Sequence, residues 1–147
     1  MRRMMLAALV AGLVLGGCNG RSGDGVTVSD ARVQLPAVEG RPGAAYFELT
    51  TGRPVRIVSV TSPQIQRIEL HETREQNGVS RMTKSENVTF EHELSFEPGG
   101  RHAMLFGIDP ALRPGARVPL VFAFDQAAPV TVEAEVQAPG GGGHSGH

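Results

Sequence analysis

The run RVPLVFAFDQAAPVTVEAEVQ, residues 117–137, carries Val118, Leu120, Phe122 and Phe124 at every second position, then Val130, Val132, Ala134 and Val136 with the same spacing. A period of two belongs to a strand with one buried face; a helix would scatter those side chains around its axis. The rest of the chain reads the same way. VTVSDARVQLP, AAYFELT, VRIVSVTS, IQRIELHE, VSRMTKS, VTFEHELSFEPG and HAMLFGID are rich in β-branched and aromatic residues. Between them stand the turn signals TGRP, QNG, PGG, DPALRPG and DQAAP. About nine short strands over residues 26–137, with no amphipathic helix and no internal repeat, predict an all-β sandwich or barrel. Residues 138–147, APGGGGHSGH, form a glycine-rich tail with two histidines.

The amino terminus follows a different rule. MRRMMLAALVAGLVLGGC has Arg2 and Arg3, an apolar stretch from Met4 to Leu15, and small residues before Cys18. That is the pattern of an export signal over residues 1–17, short for a membrane span. Its end, LGGC, resembles the bacterial lipobox, which makes Cys18 the lipid-bearing first residue of the mature chain and residues 18–25 a tether. Cys18 is the single cysteine, so neither an intrachain disulfide nor a CxxC pair can form. Loss of Arg2 and Arg3 moves the formal charge from −1 to −3. A mildly acidic exported protein argues against nucleic acid as a partner, and membrane contact is expected only through the anchor.

Of the five methionines, Met1, Met4 and Met5 leave with the signal, so Met82 and Met104 alone remain. Both keep company with histidine. His71 precedes Met82 with ten residues between, and His102 stands two before Met104, on one face of a strand. Two strand pairs with converging ends would gather two imidazoles and two thioethers. Thioether sulfur selects Cu(I), whereas zinc recruits thiolate, imidazole or carboxylate, and calcium and magnesium want oxygen. A blue-copper site needs a cysteine thiolate that the mature domain lacks. On residue chemistry alone two readings stand: a Cu(I) site, or packing methionines beside surface histidines.

Other candidates divide in the same manner. His144 and His147 on the tail either capture a second, Cu(II) ion, which imidazole suits, or are incidental. His92, between two glutamates, reads as part of a solvated strand face. Glu69, Glu72 and Arg101 flank the histidines and either orient ligands or are ordinary strand charges. NVT at 87–89 fits a glycosylation sequon but carries little weight beside a bacterial lipobox. No phosphate loop, GxSxG elbow, HExxH pair or triad spacing is present, so catalytic residues are not expected.

The stretches IELHETREQNGVSRM, PGGRHAMLFGIDPALRPGARVPLVFAF and VTVEAEV resemble the PCuAC family of periplasmic copper chaperones over roughly residues 26–137. The family signature is a histidine, a methionine after ten residues, and a distal His–x–Met. His71, Met82, His102 and Met104 match it, as do the glycine before the distal histidine region, the MLFGI run and the LRPG turn. The 19 residues between Met82 and His102 are slightly fewer than usual. The resemblance implies a cupredoxin-like Greek-key sandwich binding Cu(I) through those four residues. It further implies delivery to the CuA domain of cytochrome c oxidase subunit II, with other copper-delivery proteins as further partners. On this reading His102 and Met104 share a face because they reach one ion, with Leu105 and Phe106 supporting the strand and limiting water.

Three alternatives remain: a metal-free structural or interaction lipoprotein, a copper storage or detoxification protein, and a copper-dependent redox enzyme or electron carrier, for which the neutral soft ligands are poorly suited. The anchor is testable by itself. Mass spectrometry of the mature protein should find residues 1–17 gone and a lipid on Cys18; an unmodified terminus starting elsewhere would refute the lipobox reading.

Overall fold

A computed structural model describes residues 25–140 of the chain. The signal at 1–17, Cys18 and the tail histidines His144 and His147 lie outside the described residues. Ten strands run in chain order: β1 Val26–Gln34, β2 Gly43–Thr51, β3 Val55–Thr61, β4 Ile65–Gln76 and β5 Val79–Lys84; then β6 Val88–Phe90, β7 Glu93–Phe96, β8 Arg101–Ile108, β9 Arg117–Phe124 and β10 Val130–Gln137. The expected count of about nine becomes ten because VTFEHELSF splits. β6 pairs with β3 while β7 pairs with β2, so the chain crosses from one part of the sheet to the other at Glu91–His92. His92 is therefore an exposed bend residue, not a strand residue as expected.

All ten strands belong to one ladder, β5-β4-β8-β2-β1-β10-β9-β3-β6, with β7 added on β2. The ladder does not close into a barrel. It bends over on itself instead. β2 and β9 are three strand steps apart, which on a flat sheet is ~14 Å. Yet the rings of Phe47 on β2 and Phe122 on β9 meet edge to face at 4.8 Å. Phe96 stacks on Phe47 at 4.5 Å. The inner faces thus form one sandwich core that includes Val33, Leu49, Leu105, Val118, Leu120 and Val136, all essentially sealed from solvent. The alternation of residues 117–124 is this inner face: Val118, Leu120, Phe122 and Phe124 are all buried.

Two positions at opposite ends of the β5-β4-β8 group have defined backbone demands. Asn77 and Gly78 both have positive φ, 55° and 74°. With Gln76 opposite Val79 they make the two-residue turn whose twist suits a β-hairpin. At the far end of β8, Gly107 has φ 64°, and an added Cβ would lie 2.5 Å from the Gln66 side chain. Glycine avoids both the strain of that φ and the displacement of Gln66.

Phe47 joins Phe96 to Phe122 across the two layers, so it should dominate stability. Phe47→Ala is expected to cost about 3–5 kcal/mol, read as a lower urea midpoint at unchanged slope. A loss below about 1 kcal/mol would contradict the packing.

Candidate metal centre

The site forms on strands β5, β4 and β8, which lie side by side. Antiparallel pairing of β4 with β8 sets Arg67 opposite Phe106, Glu69 opposite Met104, and His71 opposite His102. Directly opposed residues share a face. Ala103 and Leu105 of β8 point into the core with no exposed surface, so His102, Met104 and Phe106 are turned to the outer face. The shared face of His102 and Met104 is thereby opposite the hydrophobic core. Leu105 backs the strand from the core side, and Phe106 lies two residues beyond Met104 on its face. The Arg67 guanidinium covers the Phe106 ring at 4.3 Å.

His71 and His102 lie with rings nearly parallel, 24° between planes and 6.0 Å between centroids. The His71 side chain is 13% exposed. Its Nε2 lies 3.2 Å from Glu69 Oε2, while its Nδ1 is buried and has no hydrogen-bond partner. An orphaned buried nitrogen is costly in a purely structural histidine. Of the two ring nitrogens it is the one left available to a further partner. His102 Nδ1 lies 3.2 Å from the Gly100 carbonyl, which also accepts the Thr73 amide at 3.1 Å.

Glu69 gathers three cationic or hydrogen-bonding neighbours. Besides His71, its Oε1 lies 3.3 Å from Arg67 Nε and 3.5 Å from Lys84 Nζ. The His71 hydrogen bond, above all, holds its carboxyl below the usual carboxylate range, with Lys84 and Arg67 assisting and partial burial opposing. Glu72 is likewise lowered, first by its 2.8 Å bond with Arg74 and then by Arg101 at 3.3 Å. Glu72–Arg101 ties β4 to β8 beside the histidine pair. Exposed pairs of this kind contribute about 0–1 kcal/mol, so their effect is on geometry more than on stability.

The four residues singled out by sequence are not equally close. His71, His102 and Met104 occupy adjacent positions on two paired strands. Met82 faces Thr73 from β5, one diagonal step from His71, and is 55% exposed. Met104 lies on the opposite flank: on an untwisted sheet two strand steps and four residues would separate the two methionine Cα atoms by ~16 Å. The expected convergence of two strand pairs at their ends is corrected accordingly. The candidate ligands sit on three neighbouring strands of one face, with Met82 set apart from Met104 on the far strand. Among the described residues no three His, Cys, Asp or Glu side chains gather to hold a metal.

Glu69, Glu72 and Arg101 were visible in the sequence as neighbours; Lys84 and the Gly100 carbonyl were not. Lys84 could have been found by counting outward from Asn77–Gly78, which puts Lys84 opposite His71 and Met82 opposite Thr73. No local pattern announces the role of Gly100.

The family described as "Putative lipoprotein LpqE-like" matches residues 26–136. "Putative lipoprotein Lxx21020" of Leifsonia xyli subsp. xyli is 31% identical over 148 residues, covering 88% of this chain and 89% of that protein. The uncharacterized protein RP573 of Rickettsia prowazekii is 31% identical over 98 residues, 63% of this chain and 54% of that one. Among solved structures, a copper-bound PCuAC domain from PmoF2 superposes with TM-score 0.66 at 19% identity, over 80% of this chain and 97% of that domain. Apo-DR1885 from Deinococcus radiodurans superposes with TM-score 0.58 at 25% identity, over 94% of each chain. The fold is therefore the cupredoxin-like sandwich of the PCuAC domains.

Because Met82 is exposed and on a strand with no buried residue, Met82→Leu should leave stability within about 0.5 kcal/mol of wild type. Thermal unfolding of the metal-free protein measures it; a large drop would mean that Met82 is a packing residue.

Proposed function

The chain belongs to the LpqE-like lipoprotein family, and we propose that it is an exported, lipid-anchored carrier of Cu(I) at the periplasmic face. It acts as a chaperone, not an enzyme. His71, His102 and Met104 bind the ion first, and Met82 completes the set as the β4–β5 hairpin bends. One observation carries this reading: a buried, unpartnered His71 Nδ1 beside His102, with Met104 on the same outer face of the paired strand. Copper-loaded proteins that share the fold support it, among them the PmoF2 domain and a Cu(I) form of DR1885.

The chemistry suits cargo that must be released. Two imidazoles and two thioethers are neutral and soft, so they hold Cu(I) without deprotonating a thiol. A recipient offering cysteine thiolates outcompetes them. The CuA domain of cytochrome c oxidase, which the family resemblance implies, is such a recipient. Met82 on its exposed strand is the ligand a partner can reach first, so transfer begins by exchanging that thioether. His144 and His147 supply a separate Cu(II) equivalent under this proposal and take no part in Cu(I) transfer.

Anaerobic Cu(I) titration against a competing chelator tests the site. One equivalent should bind, Met104→Leu should weaken binding by at least tenfold, and Met82→Leu should weaken it less. X-ray absorption should show mixed nitrogen and sulfur scattering that loses sulfur in the double variant. Mixing the loaded protein with a reduced apo-CuA domain should move copper to the acceptor. Copper that stays on this protein at equilibrium would favour storage or detoxification, and absence of Cu(I) binding would leave a metal-free interaction lipoprotein.

A further inference from the structure

We infer that Glu69 is a positioning residue of the copper site, fixing the tautomer of His71 so that Nδ1, not Nε2, meets the metal. The inference rests on the copper-carrier reading for its purpose but not for its geometry.

A carboxylate oxygen only accepts hydrogen bonds, so the 3.2 Å contact with Glu69 Oε2 requires His71 Nε2 to carry the proton. In a neutral imidazole the lone pair then sits on Nδ1. That is the nitrogen buried without a partner. The opposite tautomer would turn a lone pair toward the carboxylate and leave a buried N–H with no acceptor, two penalties at once. His102 is set the other way round. The Gly100 carbonyl also only accepts, so His102 Nδ1 donates and its lone pair is on Nε2. One side-chain carboxylate and one main-chain carbonyl thus make the two imidazoles present different nitrogens.

Glu69 is itself held in place. Arg67 and Lys84 engage Oε1 while Oε2 faces His71, so both oxygens are occupied. Arg67 lies on Phe106, and Lys84 comes from β5, the strand that bears Met82. A carboxylate so committed orients the ligand without becoming one. It leaves the donor set neutral and soft, which suits Cu(I) more than a harder divalent ion.

Long-range proton–nitrogen NMR of the metal-free mature protein reads the tautomers directly. His71 should be protonated at Nε2 and His102 at Nδ1, and adding Cu(I) should shift His71 Nδ1. In Glu69→Leu the His71 tautomers should mix, and Cu(I) affinity should fall about tenfold or more. Glu69→Gln retains a carbonyl acceptor and should restore the tautomer and most of the affinity. A wild-type His71 protonated at Nδ1, a Cu(I) shift at Nε2, or an unchanged tautomer in Glu69→Leu would overturn the assignment. If wild type bound no Cu(I), the carrier reading would fall, while the metal-free tautomer comparison would still decide the role of Glu69.

Discussion

The antiparallel ladder between β4 and β8 is the constraint on which the site depends. Its register sets His71 opposite His102 and Glu69 opposite Met104. A slip of one residue would turn every one of these side chains to the opposite face, burying imidazoles and exposing Ala103 and Leu105. The register is in turn enforced from below, because Ala103 and Leu105 are sealed in the core. Hydrophobic burial on one face of β8 therefore fixes the chemistry on the other.

The same division explains why the fold can carry a reactive surface without weakening itself. The core is assembled where the bent sheet brings Phe47, Phe96 and Phe122 together. β5 has no buried residue and β4 is exposed from Arg74 to Gln76, so the end of the hairpin projects past that core. Such an element opens and bends more readily than the body. The candidate site thus joins a strand pair backed by the core to a hairpin arm that is not.

Charge around the site works locally. Arg67, Lys84 and Glu69 form one cluster against His71, and Glu72 with Arg74 and Arg101 forms another just beyond it. Their exposure makes them modest contributors to stability. Their contribution is directional, since the Glu69 contact decides which His71 nitrogen carries the proton.

The fold class was legible in the sequence because alternation with period two has a single structural meaning, plain in Val118, Leu120, Phe122 and Phe124. The turn at QNG was legible likewise, since asparagine and glycine tolerate the positive φ angles that Asn77 and Gly78 adopt. The spacing of His71, Met82, His102 and Met104 marked the candidate ligands, and His–x–Met placed two of them on one face. Tertiary structure alone decided the rest. The split of VTFEHELSF between β6 and β7, the bend that joins Phe47 to Phe122, and the neighbourhood of β4 and β8 all join residues distant in the chain. So do the orphaned Nδ1 of His71 and the displaced position of Met82. Local propensity cannot encode these, because they depend on where the buried face of the whole sheet closes upon itself.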